Sequence, residues 1–267
     1  MTEKLMEIRD VTQRFRSAER EVVAASRVSV QVDAGSVTCL VGESGSGKTT
    51  LARIAAGLDK PTAGSIHYQG QDISQLRGPG FMRFRREVQY VHQDPYASLN
   101  PTRTVLSTLL SALGARRNRT RRRATELLER VELTPADLFL ERYPHQLSGG
   151  QRQRVALARA LATEPALIIA DETTSMLDAS IRGSMINLLS ELRDDLGVGF
   201  LFITHDFTLA RHFAWRGRTA VLYLGELVEY GPTPEVMDAP KHAYTKALID
   251  ALPMIRFDDA DVPDGAP

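Results

Sequence analysis

Cysteine is almost missing from this sequence: Cys39 is the only one in 267 residues, so no disulfide can form within the chain and no thiolate cluster can hold a metal. It sits in the apolar run VTCLV, where a lone thiol packs as a small hydrophobe and suits a reducing compartment. Net charge is missing as well. Lys plus Arg and Asp plus Glu number 33 each, so no overall field draws in nucleic acid or an acidic membrane surface. No apolar run approaches the roughly 18 residues that crossing a bilayer requires. The start, MTEKLMEIRD, lacks the basic and apolar regions of a secretory signal, so the chain itself is expected not to span a membrane. No long-period repeat is visible. What is present, 43 % hydrophobic and 25 % charged residues, suffices for a full core and excludes a disordered or fibrous chain.

Short apolar strands alternate with amphipathic helices, the pattern of an α/β fold with a largely parallel sheet. SVTCLVG, EVQYVHQ, ALIIADE, GFLFITH and TAVLYLG read as strands, and TTLARIAAGL as the helix after the first. In IRGSMINLLSELRDDLG, Ile181, Met185, Leu188, Leu189, Leu192 and Leu196 recur at helical steps, one apolar face for a sheet. The first 35 residues and SIHYQGQDI show short alternating runs, as in a small antiparallel sheet. From about residue 96 to 164 the strand signal gives way to helical patterns such as RATELLERVEL. The expected division is a core of 1–95 and 165–230, a helical insertion of 96–164 and a C-terminal extension of 231–267.

Between the first parallel strand and its helix lies GESGSGKTT, in which Gly42, Gly47, Lys48 and Thr49 satisfy G-x-x-x-x-G-K-[ST]. Glycines let consecutive amides of Ser44, Gly45, Ser46 and Gly47 turn inward around phosphate oxygens, and the next helix adds unpaired donors at its start, around Thr49 and Thr50. Lys48 would reach the β- and γ-phosphates and the Thr49 hydroxyl would ligate Mg²⁺. A glycine-rich turn without ligand has the same composition, but the strand–loop–helix setting favours phosphate. A phosphate loop needs a second acid. At the end of ALIIADE, Asp171 is placed to hold Mg²⁺ through water and Glu172 to orient or deprotonate the attacking water. Alone, that dipeptide would be a solvated turn. Gln93 and His205 also follow strands, at the edge where open α/β sheets bind ligands. Gln93 could sense the γ-phosphate or metal and His205 could hydrogen-bond the γ-phosphate; His92 and Asp206 are read as structural.

A second glycine-bearing helix start, LSGGQRQRVALARAL, supplies Ser148, Gly149, Gly150 and Gln151 far from the first. One nucleotide does not need two such loops from one chain, so a partner chain is implied. With that, the sequence resembles the ATP-binding cassette family along essentially its whole length: GESGSGKTT is like its phosphate loop, LSGGQ its signature, IIADE its acidic motif, and Gln93 and His205 its Q- and H-loop residues. SMLD, ending at Asp178, matches the D-loop, and Phe15 in VTQRF stands where the family stacks an aromatic on adenine. The resemblance implies a P-loop NTPase (RecA-like) fold and ATP hydrolysis with Mg²⁺. It also implies a head-to-tail pair of cassettes, two membrane permease subunits and a place on the cytoplasmic face of the cell membrane.

QDPYASLNP and KHAYTKALIDALP look like the ATPase subunits of bacterial dipeptide and oligopeptide importers, whose relatives carry nickel or some oligosaccharides. That branch implies a different chain as second cassette, a solute-binding protein and import of di- or oligopeptides. Two departures stand out. Thr173 follows Glu172 where the family usually has proline, and with Cys39 alone the chain cannot build the iron–sulfur site of many relatives. ARRNRTRRRA, residues 115 to 124, holds six arginines, but without interleaved aromatics it reads as a solvated face rather than a nucleic-acid site, the alternative being contact with anionic lipid headgroups or an acidic partner. A soluble cassette acting on ribosomes or DNA would carry two cassettes or a long insertion, and an inactive one would lack the glutamate, the histidine or the signature. Neither description fits.

Overall fold

The computed structural model describes residues 3–16, 21–94, 98–114, 120–175 and 178–251, and among them the strands form two sheets. Strands β1 (Lys4–Arg16), β2 (Glu21–Asp33), β4 (Ala63–Tyr68) and β5 (Gln71–Asp72) pair antiparallel in the order β2-β1-β4-β5. The larger sheet contains β3 (Val37–Val41), β6 (Val88–Val91), β7 (Leu167–Asp171), β8 (Gly199–Thr204), β9 (Arg218–Tyr223) and β10 (Glu226–Pro232). Its order is β10-β9-β3-β8-β7-β6, parallel throughout except for β10 against β9. This is the expected P-loop NTPase arrangement of a parallel core beside a small antiparallel sheet.

The central strands are apolar on both faces because both faces are covered. Cys39, Val41, Ile168, Ala170, Phe200 and Phe202 point into one core; Leu40, Leu167, Ile169, Leu201 and Ile203 point into the other. Each large side chain so buried contributes about 1.5–3 kcal/mol of transfer free energy. The second core is closed by α1 (Lys48–Ala55), α2 (Gly78–Glu87) and the antiparallel sheet. The first takes the helices that follow β6: α3 (Val105–Leu113), α4 (Arg121–Arg130), α5 (Asp137–Leu140) and α6 (Gly149–Leu161), then α7 (Ala179–Leu196) and α8 (Phe207–Phe213). The sheet therefore stands between α1 and α6.

Cys39 is fully buried and burial pushes its thiol far up, so it is an inert packing group, as its neighbours suggested. The helical spacing in α7 overshoots by one turn. Met185, Leu188, Leu189 and Leu192 are buried, but Leu196 is 43 % exposed because the helix ends at Gly197 in the left-handed region. Helix α2 was not legible in sequence. Glycines and a proline crowd GPGFMRFRRE, and the segment is anchored by Phe84, buried edge-on against Tyr68 with centroids 5.5 Å apart.

The described half of the arginine run is neutralised within the chain. Arg121 pairs with Asp137 at 3.3 Å and Glu141 at 2.6 Å, Arg122 with Glu126 at 3.3 Å, and Arg123 with Glu126 at 3.1 Å and Glu164 at 3.2 Å. Its residues 115–119 lie outside the described residues, as do Pro95 to Ala97 of QDPYASLNP, Met176 and Leu177 of SMLD, and everything after 251.

Candidate functional site

Because β3, β6, β7 and β8 run parallel, their C-terminal ends open on one edge, and each carries a residue singled out in sequence. After β3 the chain enters residues 42–47 and turns into α1. Ser44 and Gly45 form the exposed tip and Ser46 is buried. Gly42 and Gly47 are required sterically. A Cβ on Gly42 would lie 2.2 Å from the Leu222 carbonyl oxygen, and one on Gly47, at φ +100°, 1.9 Å from that of Ala24. Helix α1 begins without a side-chain cap, leaving the first-turn amides of Lys48, Thr49 and Thr50 open to an anion.

Lys48 is 4 % exposed, and its ammonium donates to the carbonyls of Gly42 and Glu43, each at 2.8 Å, and to Ser46 Oγ at 3.4 Å. Burial lowers its pKa, opposed by the nearby Glu172, Asp171 and Glu43 carboxylates. A phosphate beside it would add to that opposing attraction.

From the first turn of α1, Thr49 Oγ1 donates to Asp171 Oδ1 at the end of β7 at 3.1 Å. Two hard oxygens at one strand edge fit Mg²⁺, which takes few protein ligands beside phosphates. Among the described residues no cluster of three or more His, Cys, Asp or Glu forms an all-protein cage. Asp171 is 2 % exposed; burial raises its pKa while hydrogen bonds from Tyr90 and Thr49 hold it down.

Tyr90 is a member of the site that sequence reading passed over: its Oη donates to Asp171 Oδ2 at 2.5 Å, 81 positions away along the chain. A single tyrosine in β6, half-buried against the second core, carried no local signal. Replacing Tyr90 by phenylalanine keeps the ring and leaves a buried carboxylate with one donor fewer. The expected loss of folding stability is about 1.5–3 kcal/mol, read from the urea midpoint of the nucleotide-free protein. An unchanged midpoint would show that the bond is energetically idle.

Glu172 follows Asp171 and sits at φ +45°, a conformation uncommon for a residue with a Cβ and one that accumulates at functional sites. It is held there by its own amide, which donates to the Ile203 carbonyl at 3.0 Å, and by the Ser175 amide and hydroxyl, which donate to its carbonyl at 3.1 and 2.9 Å. One carboxylate oxygen accepts from Gln93 Nε2 at 3.0 Å; the other lies 3.7 Å from His205 Nδ1 and 4.0 Å from Lys48 Nζ. Gln93 after β6, Lys48 at the start of α1 and His205 after β8 therefore converge on the Glu172 carboxylate at the end of β7. Thr173 is buried, and its hydroxyl has no hydrogen-bond partner among the described residues. Of the two neighbours read as structural, His92 packs edge-on against Tyr90 with centroids 4.6 Å apart, and Asp206 caps α8 through the Thr208 and Leu209 amides.

Phe15 is 49 % exposed on β1, opposite Val22 on β2, the strand whose Ala24 carbonyl abuts Gly47. Ser148 and Gln151 stand elsewhere. They form a capping box on α6, with Gln151 N donating to Ser148 Oγ at 3.2 Å and Ser148 N to Gln151 Oε1 at 3.0 Å. Helix α6 buries its apolar face in the core on the far side of the sheet from α1, so the two glycine-rich starts are not brought together within the chain. Ser148 and Gly149 are exposed and Gly150 buried. A Cβ on Gly149 would meet nothing within 4 Å, so the chain's own packing does not demand glycine there. Asp178 is exposed at the start of α7 and makes no side-chain capping bond.

Comparison with known proteins follows the same outline. Residues 25–175 match the family model described as ABC transporter, and residues 228–265 that described as oligopeptide/dipeptide transporter, C-terminal region. Among curated proteins, the glutathione import ATP-binding protein GsiA of Pectobacterium atrosepticum is 44 % identical over 239 residues, covering 88 % of this chain and 38 % of that protein. The protein of the same name from Escherichia coli K12 is 41 % identical over 263 residues, covering 94 % of this chain and 42 % of the relative. The chain thus spans about two fifths of the length of these relatives. Among solved structures, a dimeric post-hydrolysis state of the ATP-binding cassette MJ0796 bound to ADP and Pi superposes with a TM-score of 0.76 at 32 % identity, covering 86 % of this chain and 99 % of that one. CbiO1 from Clostridium perfringens, part of the ABC transporter complex cbiONQ, gives 0.76 at 26 % identity, covering 89 % and 92 %.

Proposed function

This chain belongs to the ABC transporter family, pairing an ATPase domain with an oligopeptide/dipeptide transporter C-terminal region, and from that premise we propose that it is the ATP-hydrolysing subunit of an importer for short peptides. The observation that carries the reading is the convergence of Lys48, Gln93 and His205 on the Glu172 carboxylate beside the phosphate loop. In this reading the loop amides of residues 44–47 and the first turn of α1 cradle the triphosphate, Lys48 binds its β- and γ-phosphates, and Phe15 stacks on the adenine. Thr49, Asp171 and Gln93 are the residues that would hold Mg²⁺. The ion supplies charge neutralisation on the phosphates when bound. Glu172 orients the attacking water and takes its proton, while His205 hydrogen-bonds the γ-phosphate.

The second glycine-rich start then serves the neighbouring cassette. Ser148, Gly149, Gly150 and Gln151 would close over a nucleotide held by a partner's phosphate loop, with Asp178 at the same junction. The exposure of Ser148 and the open space around Gly149 support this. The partners of this reading are a second cassette, taken to be a different chain, two permease subunits, and a solute-binding protein, with the complex at the cytoplasmic face of the cell membrane. Nucleic acid has no part in it. Among the described residues no helix is long and apolar enough to cross a membrane.

Glutathione is the first cargo to test, because curated relatives at 41 to 44 % identity are named for its import and it is itself a short peptide. Purified with its membrane partners and reconstituted into vesicles, the complex is expected to hydrolyse ATP faster when glutathione or a di- or oligopeptide is offered with the binding protein. Stimulation by nickel or an oligosaccharide instead would replace the cargo and keep the ATPase assignment; a complex without ATP turnover would remove both.

A further inference from the structure

The C-terminal extension touches the phosphate loop. After β10 come α9 (Thr233–Asp238) and α10 (Ala243–Asp250). The start of α10 is pinned by Glu229 of β10, whose carboxylate accepts the amides of Lys241 at 2.7 Å and His242 at 3.1 Å. His242 Nδ1 in turn accepts the Tyr244 amide at 3.2 Å. This lays the half-buried Tyr244 ring on that of Tyr223, centroids 4.1 Å apart, and leaves its hydroxyl free to reach beyond. That hydroxyl accepts the backbone N–H of Glu43 at 3.2 Å.

Glu43 is the residue whose carbonyl holds the Lys48 ammonium. The same side of the loop is braced at Ser46, whose carbonyl accepts the Gly225 amide at 3.2 Å, and at Gly42, which lies against the Leu222 carbonyl. Those two braces come from the β9–β10 hairpin, part of the core itself. The third comes from a helix beyond the core, and it acts on the peptide that leads into the loop tip. Backbone amides pointing at phosphate cost nothing to reorganise only if the loop is held from behind.

We propose that Tyr244 is a positioning residue for the phosphate loop, and that nucleotide binding and docking of residues 241–250 are therefore linked. The proposal rests on the loop binding nucleotide, as argued above. Linkage is reciprocal: whatever the docked helix contributes to nucleotide affinity, nucleotide returns as protection of the helix. The coupling passes through one neutral hydrogen bond, so it amounts to about fivefold.

The test uses the full chain with ADP and Mg²⁺, and reads ADP affinity by calorimetry and amide exchange of residues 243–250 by mass spectrometry. In the wild type, ADP is expected to slow exchange of α10 severalfold. Tyr244→Phe keeps the ring stack and loses the acceptor; it should weaken ADP about fivefold and abolish the ADP-dependent protection. Glu229→Gln, which loosens α10 and touches no loop atom, should weaken ADP in the same direction. A helix whose exchange ignores ADP in the wild type, or two variants that bind ADP as the wild type does, would overturn the proposal. A wild-type chain that fails to bind ADP at all would instead refute the nucleotide reading beneath it.

Discussion

Replacing Glu172 by glutamine is expected to reduce phosphate release by roughly 10²–10⁴-fold, the usual contribution of a general base, while ATP remains bound. The substitution is nearly isosteric and leaves the backbone restraints in place: the amide to the Ile203 carbonyl and the Ser175 contacts to the Glu172 carbonyl hold φ at +45° whichever side chain is present. What changes is the charge. A neutral amide cannot accept a proton from water, and it no longer sets a carboxylate 4.0 Å from Lys48 to compete with the γ-phosphate for that ammonium. Binding should therefore hold steady or tighten while turnover stops, and a pair of cassettes should persist in the ATP-bound closed form. Single-turnover phosphate release, nucleotide titration and the mass of the ATP-bound species read the three quantities separately. Unchanged phosphate release would remove Glu172 from the role assigned to it.

Gly47→Ala is expected to weaken ATP binding by at least about 100-fold, through backbone sterics rather than chemistry. The added carbon would sit 1.9 Å from the Ala24 carbonyl oxygen, in a conformation with φ +100°. Both sides of the clash are main chain, so no rotamer change relieves it, and either β2 or the loop must move. Strain of about 1–3 kcal/mol and overpacking of similar size act together. Gly45→Ala is the control. Gly45 has φ +82° but nothing within 4 Å of its added carbon, so only the backbone strain applies and most of the affinity should survive. Fluorescent-nucleotide titration of the two variants, each checked as folded by circular dichroism, decides the matter. Equal affinities would mean that the contact with Ala24 does not set the loop's shape.

Much of this was legible before any coordinates. The parallel strands announced themselves as short apolar runs, since strands covered on both faces have no polar side to show. The loop at Gly42 to Thr49 was legible because a nest of consecutive amides requires glycines at set spacings, a strictly local demand. Leu196 shows the limit of periodicity: the three-to-four spacing continues through it, but the helix stops at Gly197 and the side chain stays 43 % exposed. Helix α2 was missed because its glycines and proline argue against helix and only the anchoring of Phe84 in the second core outweighs them.

The amino-acid sequence alone determined the α/β architecture, the phosphate loop, and the acidic, glutamine and histidine strand ends, because each depends on residues adjacent to one another or on the period of a single element. Tertiary structure alone decided which groups press on that loop and on its acidic neighbour from outside. Tyr90 reaches Asp171 from 81 positions away, and Tyr244 reaches Glu43 from 201, separations that no spacing rule encodes. It also decided that Ser148 and Lys48 start helices on opposite faces of one sheet, since only the packed alternation of the strands says which face each helix covers.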